Sequence, residues 1–410
     1  MREDLFTIWN AGIRAVLCEP LIRRAVVLNE TTLRVGQKTF PLDSIDRIVV
    51  IGGGKASGAM AEALENVLEP LFAGKKIEGW VNVPNDCAKP LRKIHLHPAR
   101  PAGINEPTAE AVAGTGEIIK LAKSLTANDL CICLISGGGS ALLCAPAAGI
   151  TLEKKIAVVR KMSAEGASIR ELNAVRKKMS KIKGGQLAKI GRNKRMVSLI
   201  LSDVPGDPPE VIASGPTVET KGDPAHHHFF IGNLAKAVYA AAEEAKRLGY
   251  TVRTRIASRD EGTAESVGFR LMREAWDLPP GTCLISGGEP VVKLVPPEKR
   301  GKGGRNQQLA LAALSQHLEK IGDEDDENWG VPVAFLSGGT DGEDGPTDAA
   351  GAWFDNQALD ALGEFTVRDG SPDDYLGRND AYRFFEKLGT LLKTGATGTN
   401  VCDLRIILRG

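Results

Sequence analysis

The sequence predicts an α/β fold with two α/β domains, whose mainly parallel sheets enclose an active-site cleft. Short, nearly continuous apolar runs recur along the chain, as in sheets buried on both faces. Turns rich in glycine or polar residues follow these runs, and segments with helical periodicity alternate with them. In such sheets ligands bind beyond the carboxyl ends of the strands, which is where the turns fall.

Composition limits the classes of function. The chain has 410 residues, 42% of them apolar, which excludes a wholly disordered protein. Its 52 Lys and Arg against 51 Asp and Glu argue against nucleic-acid and membrane-surface partners. No apolar run approaches the ~18 residues of a membrane span, and no secretory signal is visible. The seven scattered cysteines include no CxxC pair, so we expect a reduced, cytoplasmic protein.

The elements follow in order from the N-terminus. Residues 5–17 carry the apolar stripe of an amphipathic helix, for which we expect a packing role. Predicted strands lie at 47–51, 130–135, 196–201, 283–285 and 331–336, and predicted helices at 235–248 and 307–318. A turn cluster at 221–224 divides a Rossmann-like domain, 1–223, from a C-terminal domain, 224–410. The N-terminal helix is a candidate to pack on the C-terminal domain.

Glycine loops follow two of the predicted strands, at 52–54 and 137–139. Backbone N–H groups in such loops, and the helix N-terminus that follows, attract anions. A single loop of this kind fits a tight structural turn equally well. Lys55 and Ser140, directly after the loops, and Arg305, after a third glycine pair, favour phosphate binding. No Walker A motif is present, and the first loop is one residue longer than the dinucleotide fingerprint.

Acidic residues also follow predicted strands, in SDVPGD at 202–207 and TDGEDGPTD at 340–348. Carboxylates beside anion-binding loops suit Mg²⁺ held jointly with substrate phosphates. Asp-Gly pairs are equally common turn formers. We favour the turn explanation for Asp344 and a metal role for Asp203, Asp341 and Asp348.

Two further clusters leave alternatives open. The stretch 174–195 is rich in Lys and Arg and contains no acid. It fits a solvated helix face, or a segment in which Arg176 and Lys183 attract an anionic substrate. The run 226–228 consists of three histidines, and we expect a surface loop there rather than a zinc site. Cys133 and Cys283 lie in apolar runs, which disfavours cysteine catalysis.

At these motifs the chain resembles the class II glycerate 2-kinase family, whose C-terminal half is the MOFRL domain. The resemblance rests on GGGKASG at 52–58, SGGGSALL at 136–143, LNAVRKKMSKIKGG at 172–185, SDVPGD at 202–207, IASGPT at 212–217, GKGGRNQ at 301–307, GTDGEDGPTDAAGA at 339–352 and TGATGTNV at 394–401. In order, these strings cover nearly the whole chain. The chain departs from the family at Ala396, where proline is common, and at Lys178-Met179, where His-Leu is frequent.

The resemblance implies transfer of the ATP γ-phosphoryl group to the 2-hydroxyl of D-glycerate, with Mg²⁺. It implies small-molecule partners, glycerate and ATP, and leaves the oligomeric state open. Lys55, Arg305 and Asp203 are the expected catalytic residues, with Asp203 also a metal candidate. The expected substrate and nucleotide contacts are Gly52, Gly53, Gly54, Ser57, Ser136, Gly137, Gly138, Gly139, Ser140, Arg176, Asp207, Asn306 and Thr340.

The alternative is a hydroxypyruvate reductase that uses NAD(P)H, a label that family members have also carried. A nicotinamide site would use the first glycine loop, and it would need an acidic residue at the end of the next strand. Residues 76–86 offer Asn82, Asn85 and Asp86, and no acid clearly ends that strand. We therefore favour the kinase.

Overall fold

The computed structural model describes residues 1–101, 106–165, 169–191, 194–218, 226–321, 332–362 and 370–410. They form two compact units. The N-terminal unit comprises Leu17–Asn233 and Gly398–Asn400, and the C-terminal unit comprises Met1–Val16, Leu234–Thr397 and Val401–Gly410. The turn cluster at 221–224 lies outside the described residues. The change of unit falls at Asn233, after the boundary expected at 223, because the preceding strand belongs to the N-terminal sheet.

The N-terminal helix α1 (Arg2–Ala15) belongs to the C-terminal unit. Its stripe of Leu5, Ile8, Trp9 and Ile13 is buried. By length and composition, the helical stretch Arg2–Ala25 could cross a membrane. Half of its most apolar window is buried within the structure, as in the core helix of a folded domain.

Among its described residues, the N-terminal unit contains seven α-helices and nine strands. The helices are α2 (Cys18–Ala25), α3 (Ser57–Leu68), α4 (Ala109–Lys123), α5 (Gly139–Leu142), α6 (Leu152–Ala164), α7 (Ile169–Lys178) and α8 (Gln186–Ile190). The strands are β1 (Val26–Leu28), β2 (Thr32–Val35), β3 (Lys38–Pro41), β4 (Arg47–Gly53), β5 (Lys76–Pro84), β6 (Ile94–Arg100), β7 (Leu130–Ser136), β8 (Arg195–Leu201) and β9 (His226–Gly232).

The main N-terminal sheet has six strands in the order β6-β5-β4-β7-β8-β9, and every pairing is parallel. β4 and β7 are almost wholly buried, as continuous apolar strands predict. β1, β2 and β3 form a separate antiparallel sheet. The histidine run 226–228 begins β9, so the expectation of a surface loop there is wrong. It was wrong because pairing with β8, not local composition, sets the structure of this run.

The C-terminal unit contains α1 and the remaining elements. Its helices are α9 (Leu234–Arg247), α10 (Ala264–Trp276), α11 (Arg305–Ile321), α12 (Asn356–Asp360), α13 (Pro372–Leu376) and α14 (Ala381–Leu388). Its strands are β10 (Thr251–Ile256), β11 (Thr282–Gly288), β12 (Val333–Gly339), β13 (Gly351–Phe354), β14 (Leu391–Leu392) and β15 (Asp403–Arg409).

The C-terminal sheet corrects one expectation. Its order is β10-β11-β15-β12-β13-β14, and only the β10–β11 pairing is parallel among these strands. The last strand, β15, inserts in the opposite direction between β11 and β12. The α/β class is therefore confirmed, and the mainly parallel sheet is found in the N-terminal unit, whereas the second sheet is mixed. β15 is buried along its length, although three of its seven residues, Asp403, Arg405 and Arg409, are charged.

Candidate active site

The order of strands in the N-terminal sheet reverses between β4 and β7. These neighbours pair in parallel, but the chain continues from β4 to β5 on one side and from β7 to β8 on the other. Open α/β sheets bind ligands in the crevice beyond such a pair of strands. The two glycine loops follow these two strands, and the Lys55 N–H donates to the carbonyl of Gly137 at 2.8 Å. The fold therefore joins the two loops at the expected ligand crevice.

The second glycine loop lies directly against an acidic side chain. A Cβ atom at Gly137 would fall 1.8 Å from Oδ2 of Asp203 and 2.7 Å from Nδ2 of Asn400. Nδ2 of Asn400 also donates to Oδ2 of Asp203 at 3.4 Å. Further along the loop after β8, Asp207 accepts a 2.5 Å hydrogen bond from Nδ2 of Asn233. Asp203 thus borders the glycine loop. Asp207 instead connects the loop after β8 to Asn233, the last residue of the segment Leu17–Asn233.

Two cations lie beside the same loop. Gly138 has φ +73°, in the left-handed region that favours glycine. A Cβ there would lie 3.2 Å from Cγ of Lys55 and 3.4 Å from Nη2 of Arg100. Arg100 is 2% exposed and ends β6. The motifs did not indicate Arg100. Its position at the carboxyl end of a parallel strand, where ligands bind in such sheets, is the feature that could have identified it.

The first glycine loop is explained largely by packing. A Cβ at Gly52 would lie 2.0 Å from the carbonyl oxygen of Leu134, and one at Gly54 would lie 2.1 Å from Oγ of Ser136. Gly53 and Gly139 also face each other closely, since a Cβ at Gly139 would lie 3.0 Å from the Gly53 carbonyl. These glycines allow the ends of β4 and β7 to approach, as the tight-turn alternative requires.

Ser57 and Ser136 are buried and hold the two loops together. Their hydroxyl oxygens are 3.0 Å apart. Ser57 donates to the carbonyl of Leu134 at 3.2 Å, and Ser136 accepts from the N–H of Ala56 at 3.1 Å. The structure gives both serines internal partners, so their observed contacts support the loops.

A second polar network begins at Ser140. Its hydroxyl lies 2.9 Å from that of Ser214, which donates to Oδ1 of Asn173 at 3.0 Å. Nη1 of Arg176 donates to the same Oδ1 at 3.2 Å. Nζ of Lys183 donates to the carbonyl of Ser140 at 2.9 Å, and burial lowers the Lys183 pKa well below its ordinary value. The basic stretch therefore includes a fully buried lysine, which a solvated helix face does not explain.

Arg305 begins α11 in the C-terminal unit and is already paired. Nε and Nη2 donate to the two oxygens of Asp403 at 2.7 and 3.0 Å, and Nη1 donates to Glu289 at 2.8 Å. Burial lowers the pKa of Arg305, but the charges of Asp403 and Glu289 outweigh it and raise the pKa well above the ordinary value. Burial also raises the pKa of Glu289. Arg305 is thus a fixed, permanently charged group within an acidic cluster.

Asp344 caps the start of the same helix. It is 2% exposed and accepts from the N–H groups of Asn306 and Gln307 at 3.0 and 2.8 Å. Burial raises its pKa to about 7, although these N–H groups act in the opposite direction. Oδ1 of Asn306 accepts from the hydroxyl of Ser337 at 2.7 Å. The contacts of Asp344 and Asn306 are therefore structural.

Thr340 and the two other metal candidates, Asp341 and Asp348, have different surroundings. Asp341 interacts with the acidic cluster around Arg305, and Asp348 contacts Tyr382 and Lys393 instead. The buried hydroxyl of Thr340 donates to the carbonyl of Cys402, so it fastens the backbone. Oδ1 of Asp341 accepts from the Glu343 N–H at 3.1 Å, and the charge of Asp341 also raises the pKa of Glu289 beside Arg305. Asp348 instead accepts from Tyr382 at 2.6 Å and Lys393 at 2.9 Å, which lower its pKa to about 2.

Metal and thiol chemistry can be judged from the same contacts. Across the described ranges, no three His, Cys, Asp or Glu side chains cluster closely enough to hold a metal ion alone. Mg²⁺ often uses only one or two protein carboxylates with substrate phosphates. All seven cysteines are free, and burial raises the pKa of Cys18 to about 12. A thiol with so high a pKa is a poor nucleophile.

Comparisons with known proteins decide the family. A family described as a domain of unknown function (DUF4147) matches residues 4–243, and the MOFRL family matches residues 282–403. The chain is 35% identical over 415 residues to a D-glycerate 2-kinase from Thermotoga maritima, covering 91% of this chain and 93% of that protein. The chain belongs to the glycerate 2-kinase family. This confirms the family predicted from the ordered motifs.

Two further relatives bear on fold and activity. The crystal structure of a glycerate kinase from Thermotoga maritima matches with a TM-score of 0.78 at 32% identity, covering 100% of this chain and 99% of that one. A relative from Agrobacterium vitis is 37% identical over 405 residues, covering 89% of this chain and 100% of that protein. Its name gives hydroxypyruvate reductase as a provisional activity. That name corresponds to the alternative activity, hydroxypyruvate reduction, which the sequence also left open.

Proposed function

We propose that this protein transfers the γ-phosphoryl group of ATP to the 2-hydroxyl of D-glycerate. Family membership supports the reaction class, since relatives named D-glycerate 2-kinase and glycerate kinase match nearly the whole chain. One structural observation carries the proposal: Asp203 and Lys55 lie against adjacent glycines of one loop. An acid and a cation beside a backbone anion site are what phosphoryl transfer to an alcohol needs.

The reaction needs positioning and neutralisation of charge. The 2-oxygen of glycerate forms a bond to the γ-phosphorus while the bond from that phosphorus to the β–γ bridging oxygen breaks. ADP leaves with the bridging oxygen, and Asp203 orients the 2-hydroxyl or accepts its proton. Lys55 and the N–H groups of residues 137–139 balance the charge on the transferring group. No covalent enzyme intermediate is required.

Arg305 is the second proposed cation. Its fork is held on two sides by the carboxylate of Asp403, which is 0% exposed. Nη1 donates to Glu289, whose side chain is 40% exposed. A substrate anion could replace Glu289 as the acceptor of this hydrogen bond. We assign Asp403 to positioning Arg305, and Arg305 to the phosphate or the glycerate carboxylate. An orienting buried acid behind a substrate-binding arginine keeps the planar fork in one geometry.

Mg²⁺ is the metal proposed for this reaction. The Asp203 carboxylate fills the space above Gly137, which fits a carboxylate and an anion loop sharing one ion. Asp203 would hold the ion in the N-terminal unit, and Asp341 is the candidate in the C-terminal unit. Asp348 fits less well, because Lys393 and Tyr382 already occupy its oxygens. When bound, Mg²⁺ would neutralise phosphate charge.

The reductase alternative would use the first glycine loop for a nicotinamide cofactor. Such sites place an acidic residue near the end of the second strand to bind the adenosine ribose. Near the end of β5 stands Asn82, which is 0% exposed and donates to the carbonyls of Ala111 and Leu142. An inward-facing amide at this position supports the kinase over the reductase.

We also propose a cellular compartment and small-molecule partners for the enzyme. Its seven free cysteines suit a reducing compartment, so we place it in the cytoplasm. Its proposed partners are glycerate and ATP, two small molecules.

Two assays on the purified protein test the proposal. With ATP, Mg²⁺ and D-glycerate, we expect ADP to form at a rate that depends on glycerate. With NADH and hydroxypyruvate, we expect no loss of absorbance at the NADH band. Rapid NADH oxidation without glycerate-dependent ADP would replace the kinase by the reductase.

A further inference from the structure

A small cavity lies beside the network that begins at Ser140 in the N-terminal unit. Its volume is about 50 Å³, and its lining includes Ser140, Lys155, Arg176 and the aliphatic side chains of Ile156 and Val159. A pocket that encloses a whole ligand usually measures ~300–1,000 Å³. This cavity therefore has room for one compact chemical group.

Lys155 is the unusual member of this lining. Its side chain is 3% exposed, although its neighbour on α6, Lys154, is exposed. Among the described residues, no hydrogen-bond acceptor contacts the buried Nζ of Lys155. A buried ammonium group without an acceptor is strongly unfavourable, so such a group normally faces a ligand or a counter-ion.

The surroundings of Lys155 are also cationic and rich in donors. Arg176 lines the same cavity, and burial lowers its pKa. The charge of Lys155 reaches Lys183 as well, since it is one cause of that lysine's lowered pKa, after burial. Nδ2 of Asn173, which bonds through Oδ1 to Arg176, is another buried donor with no acceptor in the described structure.

Among the described residues, the lining offers little negative charge to balance these groups. Glu106 lines it, but both oxygens of Glu106 accept hydrogen bonds from Arg160. The Ser140 hydroxyl also lines this space, but its hydrogen is donated to Ser214, whose own hydrogen goes to Asn173. The cavity is thus small, positively charged and supplied with unused donors.

We infer that this cavity binds a single oxyanion group, a carboxylate or a phosphate, between Lys155 and Arg176. The planar guanidinium of Arg176 and the ammonium of Lys155 together can neutralise such a group. The choice of source rests on the proposed function, which offers the glycerate carboxylate and the ATP phosphates. The presence of the anion site does not depend on that function. Lys155 is thereby a binding residue that the motifs did not indicate.

Calorimetric titration tests the inference without turnover. Inorganic phosphate, D-glycerate and ATP are titrated separately into the wild type, Lys155→Met and the matched control Lys154→Met. We expect at least one anion to bind the wild type and Lys154→Met equally, and Lys155→Met at least 10-fold more weakly. Loss confined to D-glycerate identifies the carboxylate as the source, and loss confined to ATP or phosphate identifies the phosphate.

The inference is overturned if Lys155→Met binds all three anions as the wild type does, or if the wild type binds none. If Lys155→Met fails to fold, Arg176→Gln takes its place, with the same 10-fold loss expected and the same outcome contradicting it. A protein that binds phosphate through Lys155 but forms no ADP with glycerate would retain the anion site and refute the proposed kinase activity.

Discussion

The carboxylate of Asp203 occupies the space that any side chain at Gly137 would need. A Cβ atom there would lie 1.8 Å from Oδ2 and 2.2 Å from Cγ of Asp203. The glycine is therefore a requirement of the site, since the acid can approach the loop backbone only where no side chain intervenes. The position of the proposed base or metal ligand therefore requires that residue 137 have no side chain.

Gly137→Ala is expected to displace Asp203 and to lower kcat on the order of 10²-fold or more, the usual cost of misplacing a group by about 1 Å. Steady-state kinetics with ATP and D-glycerate measures the effect. Gly116→Ala is the matched control, because Gly116 lies within α4 and a Cβ there meets nothing within 4 Å. The control should keep full activity and gain up to ~1 kcal/mol of stability. Equal activity in both variants would contradict the role of Asp203.

Lys55→Ala should lower kcat on the order of 10²-fold, because it removes a fixed charge from the transferring group. The fold should remain intact, since the Lys55 N–H bond to Gly137 comes from the backbone. Circular dichroism and kcat measured side by side separate the two effects. Lys120→Ala provides the comparison, as Lys120 is an exposed residue paired only locally with Glu117. A folded Lys55→Ala protein with unchanged kcat would remove Lys55 from the mechanism.

The N-terminal sheet could be predicted from sequence because its signals are local. The apolar runs at 47–51, 130–135 and 196–201 became β4, β7 and β8, and the glycine loops follow β4 and β7. Strands that are apolar along their whole length are buried on both faces, and such strands are typical of parallel sheets covered by helices. The family followed from the same motifs and is confirmed by the comparisons.

Arg305→Lys should keep a positive charge but lose the two-pronged bond to Asp403. We expect kcat to fall on the order of 10²-fold, because lysine lacks the planar fork that fixes the geometry. The unfolding free energy should also drop, by less than the ~3–5 kcal/mol that removing one partner of a buried pair costs, because lysine still faces Asp403 with a positive charge. Arg255→Lys, at an exposed pair with Glu274, should change neither quantity by much. If both variants behave alike, the fork of Arg305 has no special role.

Asp344 predicts a dependence of stability on pH. Its folded-state pKa is about 7, above the ordinary 3.8, so the folded protein holds a proton that the unfolded chain releases. The contribution to the unfolding free energy is therefore present at low pH and lost as pH rises from about 4 to 7. For one proton, the slope is at most ~1.4 kcal/mol per pH unit.

Urea unfolding at several pH values between 4 and 8 measures this slope. Asp344→Asn cannot titrate, so its stability should lack the part of the pH dependence that the wild type shows in this window. Asp43→Asn, at an exposed position, serves as the comparison and should retain the wild-type slope. Identical slopes in the wild type and Asp344→Asn would show that Asp344 does not titrate as described.

Other features depend on contacts that local sequence does not encode. Strand β15 inserts antiparallel between β11 and β12, and nothing in its own sequence indicates these partners. Asp344 caps a helix that begins 39 positions earlier in the chain, at Arg305. Lys154 and Lys155 are identical neighbours in sequence, and only packing on α6 buries the second. Such relationships arise from long-range packing, so the motifs could not reveal them.

The central claim is that ATP phosphorylates D-glycerate on the 2-oxygen. Phosphorus NMR of the product formed from ATP, Mg²⁺ and D-glycerate tests it most directly. We predict a resonance with the shift and proton coupling of 2-phosphoglycerate, appearing together with ADP. A spectrum that shows 3-phosphoglycerate, or ATP left intact, would contradict the account.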